Sequence, residues 1–192
     1  MNQISVEPKS RQEICELAHD LRSQLQLDNV IYIPIISILE RLGTIISNYD
    51  YEIVEDSFFS KNIHGDTDII KRCIRIKESV YDGACNGNGR DRMTIAHEIA
   101  HFVMLCHYGF KLQRSFGESK CPAYRSPEWQ AKCFAGEFMI DNRLMTNDSP
   151  QKIASACGVS MEAALYQYNK IHNYNYGPHT EKGGDAYAFL PF

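Results

Sequence analysis

Thr94–Val103, TIAHEIAHFV, sets two histidines four residues apart inside an apolar run, with a glutamate directly after the first. Each helical residue turns by about 100°, so a helix here puts His97 and His101 about 40° apart, one turn above the other. Both imidazoles can then reach one ion. Ile95, Ile99, Phe102 and Cys106 fall on a separate face, nearly opposite. The helix can therefore bury one side and turn its histidines to a cleft. That is what HExxH requires: two neutral imidazole nitrogens on a metal, with Glu98 beside the water it deprotonates as general base. Glu98 then carries the proton to the leaving amine. The bland alternative is a helix that merely carries satisfied histidines. Chance produces HExxH in roughly one or two percent of chains with these His and Glu frequencies, and the apolar flanks TIA and FVMLC weigh further against it.

A catalytic zinc takes three protein ligands and leaves one position for water. His107 stands six residues after His101, but the intervening FVMLC lacks the glycine turn of HExxHxxGxxH. A continuing helix carries His107 away from the pair. A glutamate on a second helix is the other solution, and Glu128 and Glu137 are the choices. Glu128 opens a helix, and the small Ala131 one turn on lets that helix approach closely. Its ordinary reading is an acidic residue complementing the helix dipole. Glu137 projects from a different side and reads as a solvated charge.

Outward from the motif, the spacing predicts a helix from about 91 to 108, stopped by Gly109. Upstream, YDGACNGNGR (81–90) reads as a turn-rich loop, with Gly83, Gly87 and Gly89 close together. RCIRIK (72–77) alternates as a strand with Ile74 and Ile76 on one face. SFFSKNIHG (57–65) and TIISNYDYEIVE (44–55) are β-like. PIISILERLG (34–43) fits a short helix between Pro34 and Gly43. Residues 8–26 carry an apolar helical face, with Ser10 and Glu13 in the capping-box spacing. Downstream, 110–125 reads as a loop. SPEWQAKCFAGEFMI (126–140) restarts a helix at Ser126 and Pro127, and DSPQKIASACG (148–158) repeats the device. A last helix follows in VSMEAALYQYNKIHNY, then a tail with a strand-like AYAFL.

GRDRMTIAHEIAHFVM, followed by EWQAKCFAGEFMI, resembles the ImmA/IrrE family of bacterial metallopeptidases. Arg90, Arg92, Thr94, Ala96, His97, Glu98 and His101 match the family's R-x-R-F-T-x-AHE-x-x-H. Glu128, Ala131, Phe134, Ala135, Phe138 and Met139 match its second motif. Met93 replaces a phenylalanine, Ala100 a frequent glycine, and Ile140-Asp141 the closing Met-Pro. No ligand or base position departs. The resemblance covers roughly residues 10–170.

It implies a gluzincin-like site with His97, His101 and Glu128 as metal ligands and Glu98 as base. The implied fold is α+β: a zincin-like metallopeptidase with a small antiparallel sheet, an HExxH helix and helical C-terminal elements. An edge strand, placed at 58–65, would take an extended substrate by strand addition. The implied activity is zinc-dependent cleavage of a protein substrate, a helix-turn-helix repressor in stress or mobile-element regulation. Two histidines and a carboxylate suit Zn²⁺, and also Mn²⁺ or Fe²⁺.

The whole chain, 1–192, reads as one domain, with a catalytic core at about 10–145, helices at 149–172 and a tail at 173–192. The helical pair looks like a helix-turn-helix, yet Lys152 and Lys170 are its only basic residues, too few for several phosphate contacts. Direct nucleic-acid binding is therefore not expected, and a net charge of −4 agrees. Seven cysteines without a CxxC pair point to reduced thiols. No apolar run approaches a membrane span and the first residues lack a signal-peptide core, so a cytoplasmic protein is expected. His179 and Tyr124 are candidate oxyanion donors. The competing function is a regulatory binding module acting by protein or DNA contact without cleavage. The intact Glu98 argues against it, because a module that only binds needs no base between two ligands.

Overall fold

The HExxH helix is the element around which the others are arranged. In the computed structural model, which describes residues 4–109, 113–114 and 122–173, it runs as α4 from Gly89 to Tyr108. The order is β1 (Ile4–Ser5), α1 (Arg11–Gln24), α2 (Ile35–Arg41), β2 (Asp50–Val54), β3 (Gly65–Asp68), β4 (Cys73–Lys77) and α3 (Glu78–Cys85), then α4. After it come β5 (Gln113–Arg114), α5 (Pro127–Met139), α6 (Asn142–Met145), α7 (Pro150–Cys157) and α8 (Met161–Asn173). His179, Cys121, AYAFL and most of the 110–125 loop lie outside the described residues.

The helix starts follow local chemistry. Ser10 accepts from the Glu13 backbone while Glu13 returns a bond to the Ser10 backbone, the reciprocal box read from sequence. Ser126 and Ser149 cap α5 and α7, each with proline at the first helical position. Gly109 ends α4 with φ 70°. Ile95, Ile99 and Phe102 of α4 are fully buried, together with Ile14 of α1, Leu39 of α2 and Phe134 and Phe138 of α5. α5 lies along α4 on one side and along α1 on the other.

The sheet has the order β2-β4-β3. It is mixed, which corrects the expected antiparallel sheet: β2 runs parallel to β4, and β3 antiparallel to it. Ile74 and Ile76 of the central β4 are fully buried, and β3 and β4 lie against α4. Three local expectations also change. The edge strand sits at 65–68 rather than 58–65; Asp56–Phe58 is a 3₁₀ turn. TIISNYDYEIVE forms a strand only from Asp50. Part of the supposed loop 81–90 belongs to helix α3. Gly83 lies in that helix with the Asp91 side chain of α4 packed over it: a Cβ there would stand 2.9 Å from Asp91 Cγ and 3.4 Å from its Cβ.

α7 and α8 are joined to the core rather than hung from it. Ile153, Cys157, Val159, Ala163 and Ala164 are buried with the α4 residues. Arg92, buried on α4, donates to the carbonyls of Gly158 (2.7 Å) and Ile33 (2.8 Å), capping the end of α7. Gly89 sits at the start of α4, where a Cβ would come 2.4 Å from the Val159 carbonyl carbon and 2.6 Å from Ser160 N. Those atoms are backbone and cannot swing aside. Gly89→Ala should therefore destabilise by about 1–3 kcal/mol. A urea titration would report this as a lower midpoint with an unchanged slope.

The six described cysteines are free thiols. No described helix is long and apolar enough to cross a membrane.

Candidate metal centre

α4 turns His97 and His101 to one side, and α5 brings Glu128 to them from its first turn. Gln130, buried, fixes that turn by donating from Nε2 to the carbonyls of Glu7 and Tyr124, both at 2.8 Å. His97 Nε2 lies 3.1 Å from Glu128 Oε2 and 3.1 Å from His101 Nε2. His101 Nε2 lies 3.3 Å from Glu128 Oε1. The two rings meet edge to face, with centroids 4.6 Å apart. Donor atoms on a tetrahedral ion with bonds of about 2.0–2.1 Å stand about 3.3 Å apart. The three side chains therefore fit a single metal ion.

The carboxylate and the imidazoles also act on one another electrostatically. Hydrogen bonds from His101 and His97 hold the Glu128 carboxyl far below its ordinary range. Burial acts to lower the His101 pKa, but Glu128 outweighs it and the net shift is upward.

Glu98 is 7% exposed, at the wall of the same cleft. Burial pushes its carboxyl above the ordinary range, against the opposing pull of His97, His101 and Thr67. The cleft has a volume of about 600 Å³ and runs between β3 and the start of α5. His64, Gly65 and Thr67 line one side, Met104 and Tyr108 continue its floor, and Lys132 lies on the α5 side.

The edge β3 faces this cleft. Lys77 N donates to His64 O (3.1 Å), and Gly65 pairs with Ile76. By the alternation of an antiparallel ladder, Gly65 and Thr67 turn their N–H and C=O groups away from β4. Among the described residues no strand pairs with that edge.

A second cluster, His19, Glu137 and Asp141, also brings ligand atoms within 4.8 Å of one another. Its acceptors are already engaged. Glu137 takes bonds from Gln167 Nε2 (2.7 Å) and Asn142 N (3.0 Å) and pairs with His19 (2.8 Å). Asp141 faces the guanidinium groups of Arg143 (2.6 Å) and Arg22 (3.2 Å). Two cations at a carboxylate make an ion-pair network, not a metal site. Glu137 is fully buried, which corrects its reading as a solvated charge; it does project away from Glu128.

Of the other candidates, His107 is exposed near the end of α4 with its ring against Tyr108. Tyr124 is 38% exposed and its ring is not part of the described cleft wall. Sequence reasoning missed Thr67, whose Oγ1 lies 3.0 Å from Glu98 Oε2, and gave no role to His64. Gly-Asp-Thr-Asp has no apolar alternation to mark it as a strand over a site.

No curated protein matches the chain. A family profile does match, over residues 48–169, described as the IrrE N-terminal-like domain of the M78 peptidases. That span holds β2 through most of α8, and with them the HExxH helix and Glu128. M78 peptidases are metallopeptidases, a class with protein substrates. On that match, over well more than half its length, the chain belongs to the IrrE N-terminal-like family of peptidases.

Proposed function

We propose that this protein is a zinc-dependent endopeptidase, with His97, His101 and Glu128 as ligands and Glu98 as general base. The observation that carries the reading is the convergence of three metal donors beside a buried glutamate in an open cleft. When bound, the metal supplies the Lewis acid that polarises the scissile carbonyl and acidifies the attacking water. The chain's own residues do the rest. The outward N–H and C=O groups of Gly65 and Thr67 align an extended peptide as an added strand. Glu98 takes the proton from the attacking water and gives it to the leaving amine nitrogen. The substrate is a protein, of the helix-turn-helix repressor class that the ImmA/IrrE resemblance implies. The donor set favours Zn²⁺ and admits Mn²⁺ or Fe²⁺. The site of action is the cytoplasm.

Glu128→Gln keeps size and shape but removes the charged ligand. Metal affinity should fall by more than the ~10–100-fold that losing a ligand's hydrogen-bond partner costs. Metal content after dialysis measures this. Treating the wild type with a chelator should stop cleavage of the repressor encoded beside the gene, and added Zn²⁺ should restore it. Undiminished cutting by chelated protein would overturn the reading. Metal-replete protein that binds the repressor and leaves it intact would favour the binding-module alternative.

A further inference from the structure

We propose that Thr67 is a positioning residue that holds the Glu98 carboxylate and couples the edge strand to the base. The inference rests on the role assigned to Glu98 above. Thr67 Oγ1 lies 3.0 Å from Glu98 Oε2 and 3.1 Å from the Glu98 main-chain oxygen. The hydroxyl has one proton to give; the Glu98 main-chain oxygen is already an acceptor in the α4 ladder, so the proton goes to Oε2. Among the described residues no hydrogen bond reaches Oε1. The two oxygens of Glu98 are thereby distinguished. Oε2 is held by the hydroxyl, and Oε1 is left to receive the water's proton and to release it to the amine. A base that is 7% exposed has little water to orient it, so a fixed protein donor has a large effect on its direction.

Gly65 makes the contact possible. A Cβ there would stand 3.2 Å from Glu98 Cγ, 2.9 Å from Ile76 Cδ1 and 3.0 Å from the Arg75 carbonyl oxygen. With glycine at that position β3 lies close enough to α4 for Thr67, two residues on and on the same face, to reach Glu98. The same two residues turn their main-chain polar groups to the open edge. One short strand therefore addresses the peptide with its backbone and the base with a side chain. The relative placement of the two is fixed within a rigid element rather than across a loop.

The test compares the wild type with Thr67→Val, Thr67→Ser and Glu98→Gln. The probe is a quenched fluorescent decapeptide chosen from a library by wild-type cleavage. Valine keeps the branched shape and loses the donor, whereas serine keeps the donor. Thr67→Val should lose about 10–100-fold in kcat with KM and metal content unchanged. Thr67→Ser should stay within about threefold of the wild type. Crystal structures of the wild type and Thr67→Val supply a readout independent of turnover: the Glu98 carboxylate should leave its position in the valine variant. Wild-type kcat in Thr67→Val, or a Glu98 side chain that stays in place there, would overturn the inference. An inactive Glu98→Gln beside a fully active Thr67→Val would sink the role of Thr67 alone. An active Glu98→Gln would sink the reading of the site beneath it.

Discussion

Glu98→Gln is expected to bind metal as the wild type does and to lose about 10²–10⁴-fold in kcat. The substitution is nearly isosteric. Its side-chain oxygen can still accept from Thr67, so the contact at 3.0 Å to β3 survives. His97, His101 and Glu128 are untouched, and so is the space between them. What disappears is the capacity to take and return a proton. The fold should hold, since the amide fills the same space and keeps the contact to Thr67. The three measurements belong together: bound metal by atomic absorption, unfolding midpoint, and cleavage under saturating substrate. Loss of turnover with full metal and an intact fold isolates the base. A variant that cuts at the wild-type rate would remove Glu98 from the mechanism, whatever its place in the cleft.

The candidate site was legible because its geometry is local. A four-residue spacing fixes two imidazoles on one helix, and no distant part of the chain is needed to place them. The proposed third ligand, Glu128, required a second helix. Ser126 and Pro127 marked where that helix begins, and the small, fully buried Ala131 marked where it could pack closely. Glu137 was misread for the opposite reason. Its surroundings come from α1 and α8, through His19 and Gln167, and nothing in its own neighbourhood of sequence announces them. A charged residue between Gly136 and Phe138 reads as exposed unless its distant partners are known.

The sheet was the least legible element. Ile74 and Ile76 identified β4, but the parallel pairing of Asp50–Val54 with Cys73–Lys77 is a long-range choice. β3 carries no apolar signal. One of its faces meets α4 through Gly65 and Thr67, and the other sets Asp66 against Arg75 across the ladder, with bonds of 2.6 and 2.8 Å. Gly83 misled in another way. Turn-rich composition suggested a loop, whereas the glycine serves helix packing.

Asp141→Asn should destabilise the fold by about 3 kcal/mol at neutral pH, the lower end of the range for breaking a buried ion pair. Arg22 is fully buried. Its guanidinium donates to the carbonyls of Phe138 (2.7 Å), Leu27 (3.1 Å) and Val30 (2.5 Å), so it ties the end of α5 to the loop after α1. Those bonds satisfy its terminal nitrogens but not its charge. Asp141 Oδ2, 3.2 Å from Nε, supplies the counter-charge, although Nε makes no well-directed hydrogen bond. Asparagine keeps the other duty of this residue, since it caps α6 as well as aspartate does, by accepting from Arg143 N. The substitution therefore keeps size and shape, removes the charge, and puts an amide donor where Oδ2 accepted from Arg143 and faced Arg22. Glu137 stays nearby, which keeps the cost at the lower end. The pH dependence separates this account from a packing defect. Burial acts to raise the Asp141 pKa, but Arg143 and Arg22 outweigh it and hold the group below the ordinary aspartate value. A depressed folded pKa stabilises above the unfolded pKa of about 3.9 and is lost as pH falls through the folded value. The stability gap between wild type and Asp141→Asn should thus be present above the unfolded aspartate pKa of about 3.9 and close in stronger acid. A gap that persists unchanged into acid would mean that shape, not charge, is what position 141 contributes.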